Sequence, residues 1–296
     1  MSKDRHAFEF DNGVYSAKEG TFASKDATDD YAQIAARAIN RIAGDFDIRW
    51  LAHDWSVDDI PTPVLDRIFA GQNFVGDVAH WVRAFIGRCI YDVGECDDWS
   101  VALVLCGAPC AGKTVLLKQI SALYGPDDVG AAANPIESPF ALSAMFDKRL
   151  IAVDDGDRAL FDLPAFTNMV SGEQMSVPRR MREPVDVKWT APFVITCNEI
   201  PTFRGVHADG IWRRLVIVPF EHTVIAPDPT LTASQRTEMP AFVVKVNREY
   251  RALAARCRDI RGMMPAAMTE FAENARLVAV ERAKTVQKKR KRVSRK

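Results

Sequence analysis

The sequence predicts an α/β fold with a central, mostly parallel sheet, between a helical N-terminal segment and a helical C-terminal segment. Three observations lead to this prediction. First, residues 98–220 alternate short apolar runs with helical segments. Second, the runs are rich in β-branched residues, as buried parallel strands are; they are Val101–Leu105, Leu150–Val153, Phe193–Thr196 and Leu215–Val218. Third, the first run leads directly into a glycine-rich loop. The predicted helices between the runs are Lys113–Tyr124, Phe140–Met145 and Leu163–Val170.

The composition is that of an ordinary globular protein, with 48% hydrophobic and 26% charged residues in a chain of 296. No apolar run reaches the length of a membrane span, and the N-terminus lacks the apolar core of a signal peptide. The six cysteines show neither Cys-x-x-Cys pairs nor zinc-ligand spacing. We therefore expect a cytoplasmic or nuclear protein with reduced thiols that is not secreted and has no membrane partner.

The formal net charge of zero hides an uneven distribution of charge. Residues 281–296 contain nine Lys/Arg and one Glu, or +8, so the rest of the chain carries −8. The segment Gln287–Val293 resembles a nuclear localisation signal. It could equally be a non-specific DNA-binding arm or a solubilising tail.

The first 95 residues carry no recognisable chemistry of their own. Two strand-like runs around Asn12-Gly13 predict a β-hairpin. Acidic residues at the start and Gly44 at the end predict a helix over residues 29–44. Two more helices are predicted, from Pro63 to Ala70 and from Val75 to Ile90. The last has Trp81, Phe85 and Ile86 on one face and Arg83 and Arg88 available elsewhere.

The C-terminal part is predicted to be helical over residues 238–280, with Pro240 near the start and interruptions at Gly262 and Pro265. The apolar residues Phe242, Val243, Val246 and Tyr250 recur there at core spacing. The polar, basic tail after Ala283 is predicted to be disordered by itself.

The glycine-rich loop has the pattern Gly-x-x-x-x-Gly-Lys-Thr between a strand and a helix, which is typical of a phosphate-binding loop. It comprises Gly107, Ala108, Pro109, Cys110, Ala111, Gly112, Lys113 and Thr114. Its backbone N–H groups and the helix N-terminus favour a triphosphate. We expect Lys113 to reach the β- and γ-phosphates and Thr114 to hold Mg²⁺.

Two further strands end in polar residues. Asp154 and Asp155 follow Leu150–Val153 about 40 residues after the loop, where one carboxylate can support Mg²⁺ and the other can polarise the attacking water. Asn198 follows the strand Phe193–Thr196 and can position water against a γ-phosphate. The alternatives are a solvated loop for the two acids and a turn toward Pro201 for the asparagine.

Two arginine-containing segments complete the candidates. Arg213 and Arg214 precede the last strand, and either can neutralise transition-state charge at a site shared between subunits. A surface pair is the alternative. Two extended runs flank a cluster of arginines, which predicts a basic hairpin able to hold nucleic-acid phosphates; its basic residues are Arg179, Arg180, Arg182 and Lys188. A solvated loop is the alternative there.

In this order the motifs resemble those of the superfamily 3 helicases, and most closely the poxvirus-type primase-helicase family of large DNA viruses, phages and mobile elements. The resemblance covers roughly residues 8–222. It rests on the phosphate loop, the paired acids, Gly172-Glu173 with Arg179–Arg182, Thr196–Pro201, and Trp212–Leu215 with the strand that follows. The turn Asn12–Tyr15 also resembles the one that precedes the helicase domain of that family.

The resemblance implies an AAA+ type P-loop NTPase, usually a hexameric ring, that uses ATP and Mg²⁺ to move 3′→5′ on single-stranded DNA. It implies that Lys113 and Thr114 bind nucleotide and Mg²⁺, and that Asp154 and Asp155 are the paired acids. Asp155 is preferred as the base, although many relatives have glutamate there. Asn198 matches the asparagine that senses the γ-phosphate.

The resemblance also implies an arginine finger donated to the neighbouring subunit. It matches Arg213 or Arg214, and Arg214 is preferred because it abuts the final strand. The basic residues of the pore hairpin match Arg180 and Arg182. Because the chain has no room for the primase domain that many family members carry, we expect a stand-alone helicase or a fragment, with a separate primase or replication protein as partner.

The predicted organisation is therefore an N-terminal oligomerisation region (1–95), the ATPase core (96–222), a helical region (223–282) and the basic tail (283–296). The expected function is ATP-dependent unwinding of forked DNA during replication. The alternatives are an AAA+ motor that remodels protein or packages nucleic acid without unwinding, and a degenerate relative that only binds.

Overall fold

The N-terminal residues form a small sheet of four strands. The structure is a computed structural model that describes residues 3–26, 31–131, 141–156, 165–179, 181–200, 203, 208–226, 228–260 and 262–293. Its first strands are β1 (Asp4–Phe10), β2 (Gly13–Ser16), β3 (Thr21–Ser24) and β4 (Ala38–Arg41), in the order β3-β2-β1-β4. The antiparallel pairing of β1 and β2 around Asn12-Gly13 confirms the predicted hairpin.

The helix predicted over residues 29–44 is wrong. Within the described residues, helix α1 covers only Tyr31–Ala35, and the chain then forms β4, which pairs in parallel with β1. The backbone N–H of Ile42 continues this pairing by donating to the carbonyl of Glu9 at 2.8 Å. The β-branched residues Ile39 and Ile42 are buried here, which suits a strand, and the free edge of β1 pairs with the backbone of this segment. Residues 29 and 30 lie outside the described part.

Two helices follow, both close to their predicted bounds. Helix α2 spans Pro63–Gly71 and helix α3 spans Asp77–Arg88, while Ile48–Leu51 forms a 3-10 turn. Trp81, Phe85 and Ile86 of α3 are buried together, as predicted.

The middle of the chain contains a five-stranded parallel sheet, which confirms the α/β prediction. The strands of this region are β5 (Ala102–Gly107), β6 (Val129–Ala131), β7 (Leu150–Val153), β8 (Gln174–Arg179), β9 (Arg182–Lys188), β10 (Phe193–Cys197) and β11 (Leu215–Phe220). The sheet has the order β11-β5-β10-β7-β6, whereas β8 and β9 form a separate antiparallel hairpin. Strand β6 was not predicted, because three residues including Gly130 give too short a pattern.

The helices of this region are α4 (Lys113–Ser121), α5 (Phe166–Ser171) and α6 (Ala208–Trp212). The predicted helix Phe140–Met145 is instead a 3-10 turn at Ala141–Ala144, and Phe140 lies outside the described residues. The predicted residues 163 and 164 also lie outside them. Since β10 lies between β5 and β7, the carboxyl ends of these three strands meet at one edge of the sheet.

Two long helices complete the chain. Helix α7 spans Leu231–Arg256 and contains Pro240 well inside it, nine residues after its start, and helix α8 spans Ala266–Val293. The prediction of a disordered tail is therefore wrong for the backbone up to Val293. After Pro265 this stretch has neither Gly nor Pro and is rich in Ala, Glu, Lys and Arg, which favour helix. No described helix is both long enough and apolar enough to span a membrane.

The hydrophobic core lies on both faces of the parallel sheet, because successive strand residues point to opposite sides. In β5, Leu103 and Leu105 join a core with α3, α4 and α7, whereas Val104 and Cys106 join one with α5 and α6. The sheet is thus covered on both faces.

Arg83 and Arg88 are buried, in contrast to the prediction that they are available away from the apolar face of α3. Nε of Arg83 donates to Glu249 of α7 at 3.0 Å, and Nε of Arg88 donates to Asp97 at 2.7 Å. Helix α7 covers this side of α3, and its partner for Arg83 is 166 residues away in sequence. Local periodicity cannot reveal such a distant partner.

Candidate functional site

The glycine-rich loop is held in shape by close backbone contacts. Gly107 has φ +145°, and a Cβ atom there would lie 2.2 Å from the carbonyl oxygen of Phe220. The N–H of Ala108 donates to the same carbonyl at 2.8 Å. Gly112 has φ +95° and precedes α4, so a left-handed residue joins the loop to the helix. Only glycine fits at position 107, because a Cβ atom would collide with the Phe220 carbonyl. The loop continues through Gly112 into the N-terminus of α4.

Lys113 connects this loop to the end of β10. Its side chain is buried, and Nζ donates to the carbonyls of Gly107 and Ala108 at 2.8 and 2.6 Å. Nζ also donates to Oδ1 of Asn198 at 3.0 Å. The predicted loop lysine and the predicted asparagine therefore belong to one site, although 85 residues separate them.

A second group of polar contacts joins α4, β7 and β10. The hydroxyl of Thr114 donates to Oδ1 of Asp154 at 3.0 Å, and the hydroxyl of Thr196 donates to the same oxygen at 2.6 Å. The N–H of Asp155 donates to the Thr196 hydroxyl at 2.9 Å. Thr196 is nearly fully buried and orients both acids, a role that the sequence reasoning missed. The sequence feature that could have indicated this role is a hydroxyl-bearing residue near the end of an otherwise apolar strand.

Asp155 has φ +55°, a left-handed conformation that is uncommon for a residue other than glycine. The hydrogen bond to Thr196 and the bond from the N–H of Gly156 to the Thr196 carbonyl at 2.7 Å fix this geometry. Backbone strain of this kind concentrates at functional sites, where surrounding contacts maintain it. The carboxylate of Asp155 is exposed and lines the cavity described next.

A cavity of about 820 Å³ lies over this edge of the sheet. Its floor contains the predicted residues: six of the eight loop residues (109–114), both aspartates and Asn198. Its opposite wall comes from α2, the segment after β11 and the start of α7. No sequence pattern indicated this wall, because α2 and the segment 222–232 carry no motif.

Gln72 holds the wall against the glycine-rich loop. Its amide nitrogen donates to the carbonyls of Ala111 and His222 at 3.0 and 2.6 Å, and its Oε1 accepts from the N–H of His222 at 3.1 Å. The N–H of Val224 donates to the Cys110 carbonyl at 3.0 Å. These bonds position the segment 222–224 as a fixed side of the cavity.

An ion pair between two lining residues, Arg67 and Asp228, joins the two parts of this wall. Their charged atoms lie 2.8 Å apart, and both side chains remain partly exposed. Hydrogen bonds from Thr230 and the guanidinium of Arg67 lower the pKa of Asp228. The pair links α2 to the segment that leads into α7.

Two buried thiols lie under the loop, on the paired residues Cys106 of β5 and Cys197 of β10. The hydrogen bond between them lowers the pKa of Cys106, and the nearby Lys113 ammonium contributes to the same shift. The same bond and burial raise the pKa of Cys197. The raised pKa keeps Cys197 protonated beside Asn198.

The predicted arginines lie apart from the cavity lining. Arg213 is exposed, whereas Arg214 is half-buried and bonded within its own chain, with Nε 3.0 Å from Oγ of Ser171 and Nη1 3.0 Å from the carbonyl of Gly210. These contacts do not favour Arg214 as a group offered to another subunit.

The predicted basic hairpin is formed by β8 and β9. Nε of Arg179 donates to the Glu183 carbonyl at 3.0 Å, which closes the turn, and Arg182 and Lys188 are exposed. Met181 at the tip has φ +55° and is 97% exposed. Arg180 lies outside the described residues.

Comparisons with known proteins agree with this fold. Residues 105–214, less than half of the chain, match a family of unknown function, DUF5906. No curated protein matches the sequence. The apo structure of the NrS-1 C-terminal region (A form) is similar, with a TM-score of 0.50 and 10% identity over 92% of this chain and 72% of that one. At this identity the likeness shows a shared fold.

The structure of JCV helicase is also similar, but more distantly. It has a TM-score of 0.39 and 14% identity, covering 65% of this chain and 61% of the helicase chain. A score this low supports no argument about the site.

Proposed function

We propose that this protein is an AAA+ ATPase that works as a ring-shaped DNA helicase in the replication of a virus or mobile element. The observation that carries the proposal is the 3.0 Å contact between Nζ of Lys113 and Oδ1 of Asn198. It joins a phosphate-loop lysine to a strand-end asparagine, the pair needed to bind and to sense a γ-phosphate. The insertion of β10 between β5 and β7 supports the AAA+ assignment, because it is what brings the two residues together.

ATP is the proposed ligand of the cavity. Its volume falls in the range of roughly 300–1,000 Å³ that small-molecule sites have. The triphosphate belongs at the N-terminus of α4, where loop N–H groups and the helix dipole favour anions. The nucleoside then extends toward the wall of α2 and the segment 222–224. Lys113 would exchange its contacts with the loop carbonyls for contacts with phosphate oxygens.

Mg²⁺ is the proposed cofactor, and the residues present fit it. The hydroxyl of Thr114 and the carboxylate of Asp154 lie within 3.0 Å of each other and supply the hard oxygen ligands that Mg²⁺ prefers. When bound, the ion neutralises phosphate charge during transfer. Asp155 would then be the base that accepts a proton from the attacking water, and the Thr196 hydroxyl would hold its backbone in place.

An arginine from a neighbouring subunit completes the proposed site. Among the described residues that line the cavity, Lys113 and Arg67 are the only Lys or Arg, and Arg67 is paired with Asp228. We assign the trans arginine to Arg213 rather than Arg214, because Arg213 is exposed. Assembly into a ring, of the hexameric kind that the family resemblance implies, would therefore be required for full turnover.

The basic hairpin is the proposed contact with single-stranded DNA. Arg179, Arg182 and Lys188 carry its positive charge in the described part, which suits phosphate binding without reading base sequence. Hydrolysis at successive subunits would move the hairpins along the strand and open a fork. A separate primase or other replication protein would then act on the opened strands.

The proposal is tested by the ATPase rate with and without a single-stranded oligonucleotide, over a range of protein concentrations. We expect stimulation by the oligonucleotide that rises with assembly and is abolished in Lys113→Ala. Arg182→Ala should keep basal ATPase activity but no longer unwind a forked duplex. An ATPase rate that depends neither on the oligonucleotide nor on protein concentration would contradict the helicase proposal. It would leave an ATPase that acts on another substrate.

A further inference from the structure

Arg214 bridges two short helices, of which α5 leads into the basic hairpin and α6 leads to Arg213. Its Nε donates to the carbonyl of Thr167 at 3.2 Å and to Oγ of Ser171 at 3.0 Å, both in α5. Its Nη1 donates to the carbonyl of Gly210 in α6 at 3.0 Å. The guanidinium thus has acceptors on both helices within the part of the chain that the structure describes.

Helix α5 leads directly into the basic hairpin. It ends at Gly172, whose left-handed backbone (φ +67°) allows the N–H groups of Gly172 and Glu173 to bond to the last turn of the helix. The carbonyl of Glu173 then accepts from the N–H of Trp189 at 3.2 Å, which closes the base of the hairpin. Backbone hydrogen bonds therefore connect the base of the hairpin to the end of α5.

Helix α6 leads directly to Arg213. The N–H of Arg213 donates to the carbonyl of Asp209 at 3.1 Å and the N–H of Arg214 donates to the carbonyl of Ile211 at 2.8 Å, so both residues extend the last turn of α6. The backbone of Arg213 is therefore fixed to α6, while its side chain is exposed. A change in the position of α6 changes where this side chain points.

We infer that Arg214 is a positioning residue that transmits displacement of the DNA-binding hairpin, through α5 and α6, to the trans-acting Arg213. This inference rests on the proposed function for the roles of the hairpin and Arg213. It assigns different tasks to the two neighbouring arginines: Arg213 acts on the next subunit, and Arg214 acts within its own.

The packing around the bridge supports a stiff connection. Met169 of α5 and Ile211 of α6 belong to the same buried cluster on one face of the sheet. Trp212 packs edge-on against Phe203 at a ring distance of 5.3 Å. The polar bridge therefore lies on the side of the sheet where both helices contribute to one buried apolar cluster, and densely packed interiors transmit strain.

The test compares Arg214→Gln with Arg213→Gln and the milder Ser171→Ala. Arg214→Gln should bind a fluorescent oligo-dT with unchanged affinity and keep measurable ATPase activity, but its stimulation by DNA should fall to near onefold. Ser171→Ala, which removes one acceptor, should give an intermediate stimulation, and Arg214→Lys should restore part of it. Arg213→Gln should reduce turnover about 1,000-fold with or without DNA, as arginine-finger removal does.

Two ATPase results would overturn the inference. One is normal stimulation in Arg214→Gln. The other is a pattern in which Arg214→Gln is as inactive as Arg213→Gln while Ser171→Ala has wild-type ATPase activity. That pattern would make Arg214 itself the arginine finger. Thermal melting of each variant identifies misfolding, and Ser171→Ala keeps the test decisive if Arg214→Gln does not fold.

Hydrogen–deuterium exchange separates failure of this inference from failure of the proposed function. Binding of the oligonucleotide without nucleotide should alter exchange of residues 208–214 in the wild type and not in Arg214→Gln. That result supports the coupling even if the protein hydrolyses no ATP. Unchanged exchange of residues 208–214 in a wild-type protein that binds the oligonucleotide would overturn the coupling even if DNA stimulates ATPase activity.

Discussion

Nζ of Lys113 and Oδ1 of Asn198 lie 3.0 Å apart at the edge of the parallel sheet. The first residue begins the helix after β5 and the second follows β10, so the contact exists only because these two strands are paired. The Lys113 ammonium group thus contacts both the glycine-rich loop and the end of the neighbouring strand. The consequences for catalysis can be tested residue by residue.

Asn198→Ala should reduce kcat more than it weakens nucleotide binding. The asparagine contacts the site at the end where the γ-phosphate is proposed to lie, so its removal affects the transition state more than the bound nucleoside. We expect a fall of about 100-fold in kcat, the lower end for removal of one such polar group. Steady-state ATPase kinetics and nucleotide titration check this.

The matched control for that variant is Asn40→Ala, which changes the same residue type in the N-terminal sheet. There the side chain donates to the carbonyl of Ala122, away from the cavity. An equal reduction of kcat in both variants would argue against a role of Asn198 at the γ-phosphate.

Mixing two inactive variants should restore activity if Arg213 acts in trans. Lys113→Ala removes the lysine of its own site, and Arg213→Ala removes the arginine given to the next. In randomly mixed rings about a quarter of the interfaces combine an intact lysine with an intact arginine, so about a quarter of wild-type ATPase activity should return. Coupled ATPase assays on equimolar mixtures measure it.

Mixing Lys113→Ala with the double variant Lys113→Ala/Arg213→Ala provides the control, because no interface then has an intact lysine. Activity in that mixture would point to contamination. If the first mixture stays inactive although both proteins assemble, the arginine does not act across the interface.

Gln72→Leu should destabilise the protein and weaken nucleotide binding. The buried amide makes one hydrogen bond to the glycine-rich loop and two to His222 of the wall, and the substitution removes the partner of each. Each unsatisfied buried polar group costs about 1–3 kcal/mol, so we expect a lower Tm and a lower free energy of unfolding. Thermal and urea unfolding measure the stability.

Gln174→Leu is the control for the Gln72 variant, because Gln174 is exposed at the start of β8. It should leave both Tm and nucleotide affinity near the wild-type values. A Gln72→Leu protein that binds nucleotide normally would show that the wall formed by residues 222–224 lies away from the bound nucleoside.

Deletion of residues 284–296 should weaken binding to single-stranded DNA if the basic end of α8 is a DNA-binding arm. The segment carries eight Lys/Arg on a chain whose remaining residues are net acidic. For every phosphate that the shortened chain no longer binds, the slope of log K against log salt should become shallower by about 0.7. Fluorescence anisotropy over a salt series measures both affinity and slope.

If the deletion variant keeps the wild-type DNA affinity and salt slope, residues 284–296 are not a DNA-binding arm. Nuclear import of a fluorescent fusion, with and without the segment, then distinguishes a localisation signal from a solubilising tail. A tail that only solubilises predicts no change in either assay.

The local order of residues was enough to predict the strands of the sheet and the loop. Each of β5, β7, β10 and β11 is an apolar run with its own boundaries, and the glycine-rich loop has a fixed spacing between β5 and α4. Such features depend on neighbouring residues alone, which is why their bounds agree with the structure to within a few positions.

Where prediction and structure differ, distant partners decided the conformation. Residues 38–41 became a strand because β1 offers a free edge, and Arg83 is buried because α7 covers it. The cavity wall was missed because Gln72 of that wall and its partner His222 are 150 residues apart in sequence. None of these contacts leaves a pattern in a short window of sequence.

The sequence by itself thus determined the α/β class, the glycine-rich loop and the identity of the floor residues Lys113, Asp154 and Asn198. Tertiary structure alone decided that Thr196 orients the acids, that Gln72 builds the wall, and that Arg214 turns inward while Arg213 stays exposed. The physical reason is that backbone propensity and motif spacing are local. Burial and hydrogen-bond partners depend instead on which elements the fold brings together.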